Sequence, residues 1–210
     1  MKLIKSISEM QTLSRQYKGT AGFVPTMGYL HDGHLSLVRK ACTDCDEVVV
    51  SIYVNPSQFG HGEDFQQYPR SLQQDMELLS SLDVKYLFVP QDEEMYRADY
   101  KTWVSVEGLT GVLCGKSRPA HFRGVTTIVT KLLHIINPDI IFLGEKDFQQ
   151  LVVIRQMVRD LNISVEVVGC PLIREKDGLA MSSRNKYLSR LGREKSLCLY
   201  RSLLKAQEMY

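Results

Sequence analysis

No run of apolar residues in this 210-residue chain is long enough to span a bilayer, which excludes a transmembrane helix. The opening stretch from Met1 to Gln11 carries charges but no apolar core of the kind a secretory signal needs. A cytoplasmic location without membrane contact is therefore expected. Charge of one sign is also missing. Lys and Arg number 26 against 24 Asp and Glu, interspersed to a net +2, which argues against a broad nucleic-acid or membrane surface and leaves room for a local basic pocket. Cysteines are few and odd in number, five scattered residues best read as reduced thiols. Cys42 and Cys45 form a CxxC, but no second ligand pair accompanies them for zinc. They also fall near a helix end, where a redox motif would open a helix. There is no internal repeat and no low-complexity linker. Both the GxxxxGK[ST] phosphate loop and the GxGxxG dinucleotide fingerprint are absent.

What is present is an ordinary globular composition, 44% hydrophobic, in a chain long enough for one substantial domain and part of another. Strand candidates lie at 22–24, 48–54, 86–89, 102–106, 140–143 and 164–169, several of them Val/Ile-rich without strict alternation, as for strands covered on both faces. Helical patterns lie between them at 34–43, 72–82, 125–136 and 149–161, and residues 192–210 also look helical. Such alternation predicts an α/β fold: a Rossmann-like parallel sheet with helices on both faces and ligands beyond the carboxyl ends of the strands. The polar stretch 59–70 reads as a loop able to act as a flap.

The densest chemistry sits in Pro25-Thr26-Met27-Gly28-Tyr29-Leu30-His31-Asp32-Gly33-His34, between the first of these strand candidates and an amphipathic segment. A strand, a glycine-containing turn and a helix start collect backbone N–H groups and a positive dipole end at one spot, where anions bind. His31 and His34 can both donate to one phosphate; a metal pair or two polar residues in an ordinary turn are the other readings of the same spacing. Gln58, after a strand-ending Asn55-Pro56, can bond a hydroxyl or carboxylate without adding charge. Arg123, in His121-Phe122-Arg123-Gly124-Val125, can fork onto an anion, or be a solvated surface residue. His134, deep in the same helical pattern, reads as a packed histidine. Gly144-Glu145-Lys146-Asp147 stands at a strand–helix junction, with Lys146 as a point charge, Asp147 as a helix cap and Gln150 near the same sheet edge. Met181-Ser182-Ser183-Arg184-Asn185 offers two hydroxyls and a guanidinium suited to folding over a polyphosphate.

Together with Tyr68-Pro69-Arg70, these segments resemble the pantothenate synthetase family in order and spacing from about Met1 to Asn185. That family is one of the nucleotidyltransferases with an HxGH motif and a Rossmann-like core; its Met-Ser-Ser-Arg segment is similar to the mobile KMSKS loop of the wider group. The resemblance implies ATP-dependent condensation of (R)-pantoate with β-alanine through a pantoyl adenylate, releasing AMP and diphosphate, with Mg²⁺ across the phosphates. It implies His34, His31, Lys146 and Arg184 as catalytic residues, His34 as proton donor or phosphate stabiliser. Met27 to His34, Gly144 to Asp147, Ile173 and Met181 to Arg184 would line the ATP site. Gln58 and Gln150 would hold pantoate, Gln58 also near β-alanine. Asp75 is offered either as a magnesium contact or as a solvated helix carboxylate. By the same resemblance the enzyme is a homodimer acting on small molecules, without nucleic acid. Residues 1–175 are expected to form the nucleotide- and pantoate-binding domain, and 176–210 the start of a small, truncated closing domain.

Overall fold

The Val- and Ile-rich runs become neighbouring strands of one sheet. In chain order the elements are β1 (Lys2–Ile4), α1 (Ile7–Ser14), β2 (Ala21–Thr26), α2 (Asp32–Asp44), β3 (Glu47–Ile52), α3 (Leu72–Ser80), β4 (Tyr86–Phe88) and α4 (Asp92–Met95). There follow α5 (Leu113–Ser117), α6 (His121–Ile136), β5 (Ile140–Gly144), α7 (Phe148–Asp160), β6 (Glu166–Cys170) and α8 (Arg190–Glu208). The computed structural model describes all 210 residues. The six strands are parallel in the order β1-β4-β3-β2-β5-β6.

Successive residues of the inner strands serve opposite cores. Phe23, Val49 and Ile141 pack with α1, α6 and α7, while Val24, Val48, Val50 and Phe142 pack with α2 and α3. Burial on both faces explains why the strands read as continuous apolar runs. No helix is long and apolar enough to cross a membrane.

The order of the sheet reverses between β2 and β5, which is where a doubly wound sheet opens a crevice. A proline helps open it. Ala21 faces β5, accepting from the Asp139 N–H at 2.9 Å and donating to the Asp139 carboxylate at 2.8 Å. By the two-residue repeat of a strand, Phe23 and Pro25 face the same way. Pro25 has no N–H to give, and the β2–β5 register runs only through Gly22–Ile140 and Phe23–Ile141, whereas β2–β3 continues to Thr26–Ile52.

Two expectations about elements need correction. Residues 102–106 form no strand: Val104 spends its backbone on α6, its N–H on the Thr127 hydroxyl at 3.0 Å and its C=O on the Thr126 hydroxyl at 2.6 Å. His134 is exposed, its ring against the Thr130 carbonyl one turn back at 2.8 Å, so it is not packed in the core. The five cysteines are free thiols; Cys45 ends α2, and burial pushes its thiol up to about 11.

Candidate active site

A cleft of about 1080 Å³, counting its open mouth, lies at the carboxyl ends of β2 and β5. The loop from β2 enters it first. His31 is the N-cap of α2, its Nδ1 accepting from the Gly33 N–H at 3.1 Å. His34, three residues on, returns its Nδ1 to the His31 N–H in a longer contact of 3.4 Å. This is a capping box in which two imidazoles replace the usual hydroxyl and carboxylate. The rings stack with centroids 4.0 Å apart.

The geometry fixes their protonation. A nitrogen that accepts an N–H carries no hydrogen, so each neutral ring holds its proton on Nε2. Burial, then the positive charge of Lys146, holds His31 below the usual histidine range. Burial, then His31 and Lys146, drives His34 down to about 3. At neutral pH the pair offers two uncharged Nε2–H donors beside the N-terminus of α2. Neither ring is a charged acid.

The loop is held from behind by Asp75. This residue is buried in α3, and its oxygens accept from the Tyr29 N–H at 2.9 Å and the Leu30 N–H at 2.7 Å. Burial raises its pKa and the two amides oppose the rise. Tyr29 takes a left-handed φ of 52° there, a conformation costly for a residue with a side chain. Asp75 is therefore no solvated carboxylate: it is buried, each oxygen accepts a backbone N–H, it faces a neighbouring cavity and not the cleft, and no cluster of metal-ligand side chains surrounds it.

The opposite wall comes from the β5–α7 junction. Lys146 reaches into the cleft with its Nζ 3.4 Å from both oxygens of Asp147. Asp147 occupies the N-cap position of α7 without capping it through its side chain, which corrects the expected role. Gln150 and Ile173 line the same wall.

Gln58 closes one end. Its turn sits directly on α6 because Gly124 has no side chain: a Cβ there would lie 2.4 Å from the Ser57 carbonyl oxygen and 2.6 Å from the Gln58 nitrogen. Asn55 bridges the two, donating to the Gly124 carbonyl and to Gln58 Oε1, both at 3.1 Å. With its oxygen so engaged, Gln58 turns its amide N–H₂ toward Met27 Sδ, at 3.0 Å, and the cleft. Arg118 and His121 converge on the Gln58 carbonyl at 3.3 and 2.9 Å.

The 181–184 segment forms the roof. Ser182 caps the following 3₁₀ turn, its hydroxyl accepting from the Arg184 N–H at 3.3 Å. Ser183 is buried and donates to the Tyr29 carbonyl at 3.2 Å. Arg184 lies over Tyr68 and forks onto Asp64 through Nε and Nη2, both at 2.8 Å. Glu63 pairs with Arg118 in the same way, Nε to Oε1 at 2.7 Å. The stretch 59–70 is thus joined to the cleft by two ion pairs.

Of the expected nucleotide-site residues, Met27, His31, Gly33, His34, Gly144, Lys146, Asp147, Ile173 and Met181 to Arg184 do line the cleft, as do Gln58 and Gln150. Five do not. Gly28 and Tyr29 form the turn behind it, Leu30 is buried in the core, and Asp32 and Glu145 are exposed away from it. Arg123 stacks on Trp103, 5.0 Å from the ring centre, outside the cleft. Arg118, His121 and Tyr68 were not expected to line it but do. His121 and Tyr68 stand in segments the sequence already singles out, and the fold brings them to the cleft beside Gln58 and Arg184; Arg118 carries no such local signal and arrives through Gln58 and Glu63.

Comparison with known proteins identifies the family and the fold. The profile of the pantoate-beta-alanine ligase family matches residues 2–209. Among similar proteins, the pantothenate synthetase of Heliobacterium modesticaldum is 58% identical over 100% of this chain and 75% of its own length, and that of Pseudothermotoga lettingae 55% over the same shares. A crystal structure of pantothenate synthetase from Thermus thermophilus superposes with a TM-score of 0.94 at 50% identity, covering 97% of this chain and 74% of that one. The pantoate-beta-alanine ligase of Francisella tularensis, crystallised with beta-gamma ATP and beta-alanine, gives 0.91 at 42% identity over 96% and 78%. The chain spans about three quarters of the length of these relatives, and it belongs to the pantoate-beta-alanine ligase family.

Proposed function

We propose that this chain joins pantoate to β-alanine in two steps at the one cleft: pantoate and ATP give pantoyl adenylate and diphosphate, and β-alanine then displaces AMP. The ligation follows from membership of the family; the intermediate and the division of labour among residues are our reading. ATP enters as a substrate, in keeping with the Francisella tularensis complex.

One observation carries the reading: two stacked histidines present neutral Nε2–H donors at a helix start, facing Lys146 across the sheet's crevice. Pantoate's carboxylate is ionised at neutral pH, so the first step needs no base. Its difficulty is bringing an anion onto a charged phosphate. Donors that tighten as negative charge develops are the appropriate catalyst. His31, His34 and Lys146 fill that role, with Ser182 and Arg184 on the roof. Gln58 and Gln150 hold pantoate by its oxygens.

Among all 210 residues, no group of three or more His, Cys, Asp or Glu side chains is arranged to hold a metal. Mg²⁺ accordingly belongs to the reading only as the ion carried in by the triphosphate, as such ions commonly are. A homodimer, a cytoplasmic location and a closing unit beginning at 176 complete the proposal.

The test is AMP release from ATP with pantoate and β-alanine each omitted in turn. Sustained release is expected only with both, and release indifferent to pantoate would refute the reading.

A further inference from the structure

The second step needs something the phosphate machinery does not offer. β-Alanine arrives as an ammonium ion, and its nitrogen must shed protons to become an amide. His31 and His34 both turn N–H groups toward the cleft. Lys146 is a cation, Asp147 is paired with it, and Glu63 and Asp64 are tied to Arg118 and Arg184.

His121 is different. It is the first residue of α6 and lines the cleft beside Gln58 and Gln150. Its Nδ1 lies 2.9 Å from the Gln58 carbonyl oxygen. That oxygen can only accept, so Nδ1 carries the hydrogen and Nε2 of the neutral ring keeps its lone pair. This is the opposite tautomer to His31 and His34. Nε2 bonds no protein group. The ring is held below the usual histidine range by burial; its bond to the Gln58 carbonyl is the main opposing influence, Arg118 adds to the lowering, and Glu63 and Asp147 work against it.

We infer that His121 is the proton acceptor of amide formation, its Nε2 taking a proton from the β-alanine nitrogen as that nitrogen attacks the pantoyl carbonyl. The inference rests on the adenylate reading above. The nitrogen's electron pair forms the C–N bond, and the acyl C–O bond to phosphate breaks with its pair leaving on AMP. One proton is lost to water as the ammonium becomes the attacking amine. The second, shed as the C–N bond forms, goes to His121 Nε2 and later to water. The resulting imidazolium keeps both its hydrogen bond to the Gln58 carbonyl and the nearby Glu63 carboxylate.

The test separates proton acceptance from positioning by changing the nucleophile. Hydroxylamine is uncharged at neutral pH, and because it is a far weaker base than β-alanine its nitrogen sheds the second proton directly to water as the C–N bond forms. The variants are His121→Asn, whose amide N–H₂ can still donate to the Gln58 carbonyl, and His121→Gln as a second replacement. Thermal unfolding of each is measured alongside activity. Both are expected to keep pantoate-dependent exchange of diphosphate into ATP within about threefold of the parent, since that exchange reads only the first step. Pantothenate formation should fall by on the order of a hundredfold or more, the usual range for losing a general base. Pantoyl hydroxamate formation should stay near parental.

Equal losses with β-alanine and hydroxylamine would make His121 a positioning residue and overturn the inference, as would unchanged β-alanine turnover. If the parent chain shows no pantoate-dependent exchange, it is the adenylate reading that fails, whatever His121 does.

Discussion

At the scale of single residues, the histidine pair proposed for catalysis is held neutral by its surroundings. His34 folds with a pKa of about 3 against an ordinary 6.5, mainly because it is buried. Above about 6.5 neither folded nor unfolded chain protonates it. Below that the unfolded chain takes up a proton the fold refuses, so the His34 contribution falls as pH drops from about 6.5 toward about 3. His34→Gln should therefore lose less stability than the parent between pH 7 and 4.5 in urea unfolding; matching slopes would sink the assignment. His34→Ala should lower turnover by on the order of a hundredfold, as loss of an oxyanion-type donor does, with a much smaller change in ATP affinity. Asp75→Asn replaces one acceptor with a donor facing a backbone N–H. It should cost about 1–3 kcal/mol of stability and slow turnover, because the Tyr29 turn that aims both histidines loses its hold. Calorimetric unfolding and steady-state rates check both halves. The HxGH spacing was legible in the sequence because its chemistry is local. The role of Asp75 was not: its partners, Tyr29 and Leu30, lie 46 and 45 residues away. Nor does a sequence state which ring nitrogen carries a proton.

At the scale of elements, the sheet was legible wherever a strand is buried on both faces, since continuous Val/Ile runs leave few other solutions. The edge strand β1 spans only three residues and left no pattern to read. The stretch 102–106 has strand-like composition, but its backbone groups find threonine hydroxyls on α6 in place of a neighbouring strand. The most consequential contact between elements is also invisible in one dimension: Gly124 allows α6 to touch the backbone of the Gln58 turn. Gly124→Ala puts a methyl against backbone atoms that cannot swing aside as a side-chain tip would. It should destabilise by about 1–3 kcal/mol through overpacking and raise the KM for pantoate, because the turn that aims Gln58 must shift. ATP binding at the β2–β5 crevice should change little. Equal weakening of both substrates would mean the shift spreads through the whole cleft.

At the scale of the molecule, the cleft is a balance of charges drawn from distant parts of the chain. Residues 59–70 bring Glu63 and Asp64 to Arg118 and Arg184, and α8 brings Arg193 to Glu175, which also accepts from Asn185 at 2.8 Å. The net charge of +2 conceals this arrangement, since it counts charges without their neighbours. Arg184 matters most, because the guanidinium proposed for the phosphates is already forked onto a carboxylate; that contact lowers the Asp64 pKa and raises that of Arg184. A triphosphate must take Asp64's place or share the arginine with it. Asp64→Asn removes the competing charge and leaves the cleft one unit more positive. Both partners are partly exposed, so the pair is worth little in water, and the gain should be a few-fold tighter ATP binding at low salt, shrinking as salt screens the difference. Titration calorimetry of ATP at two ionic strengths measures it directly. Weaker binding in the variant at both would show that Asp64 holds Arg184 ready for the nucleotide and does not compete with it.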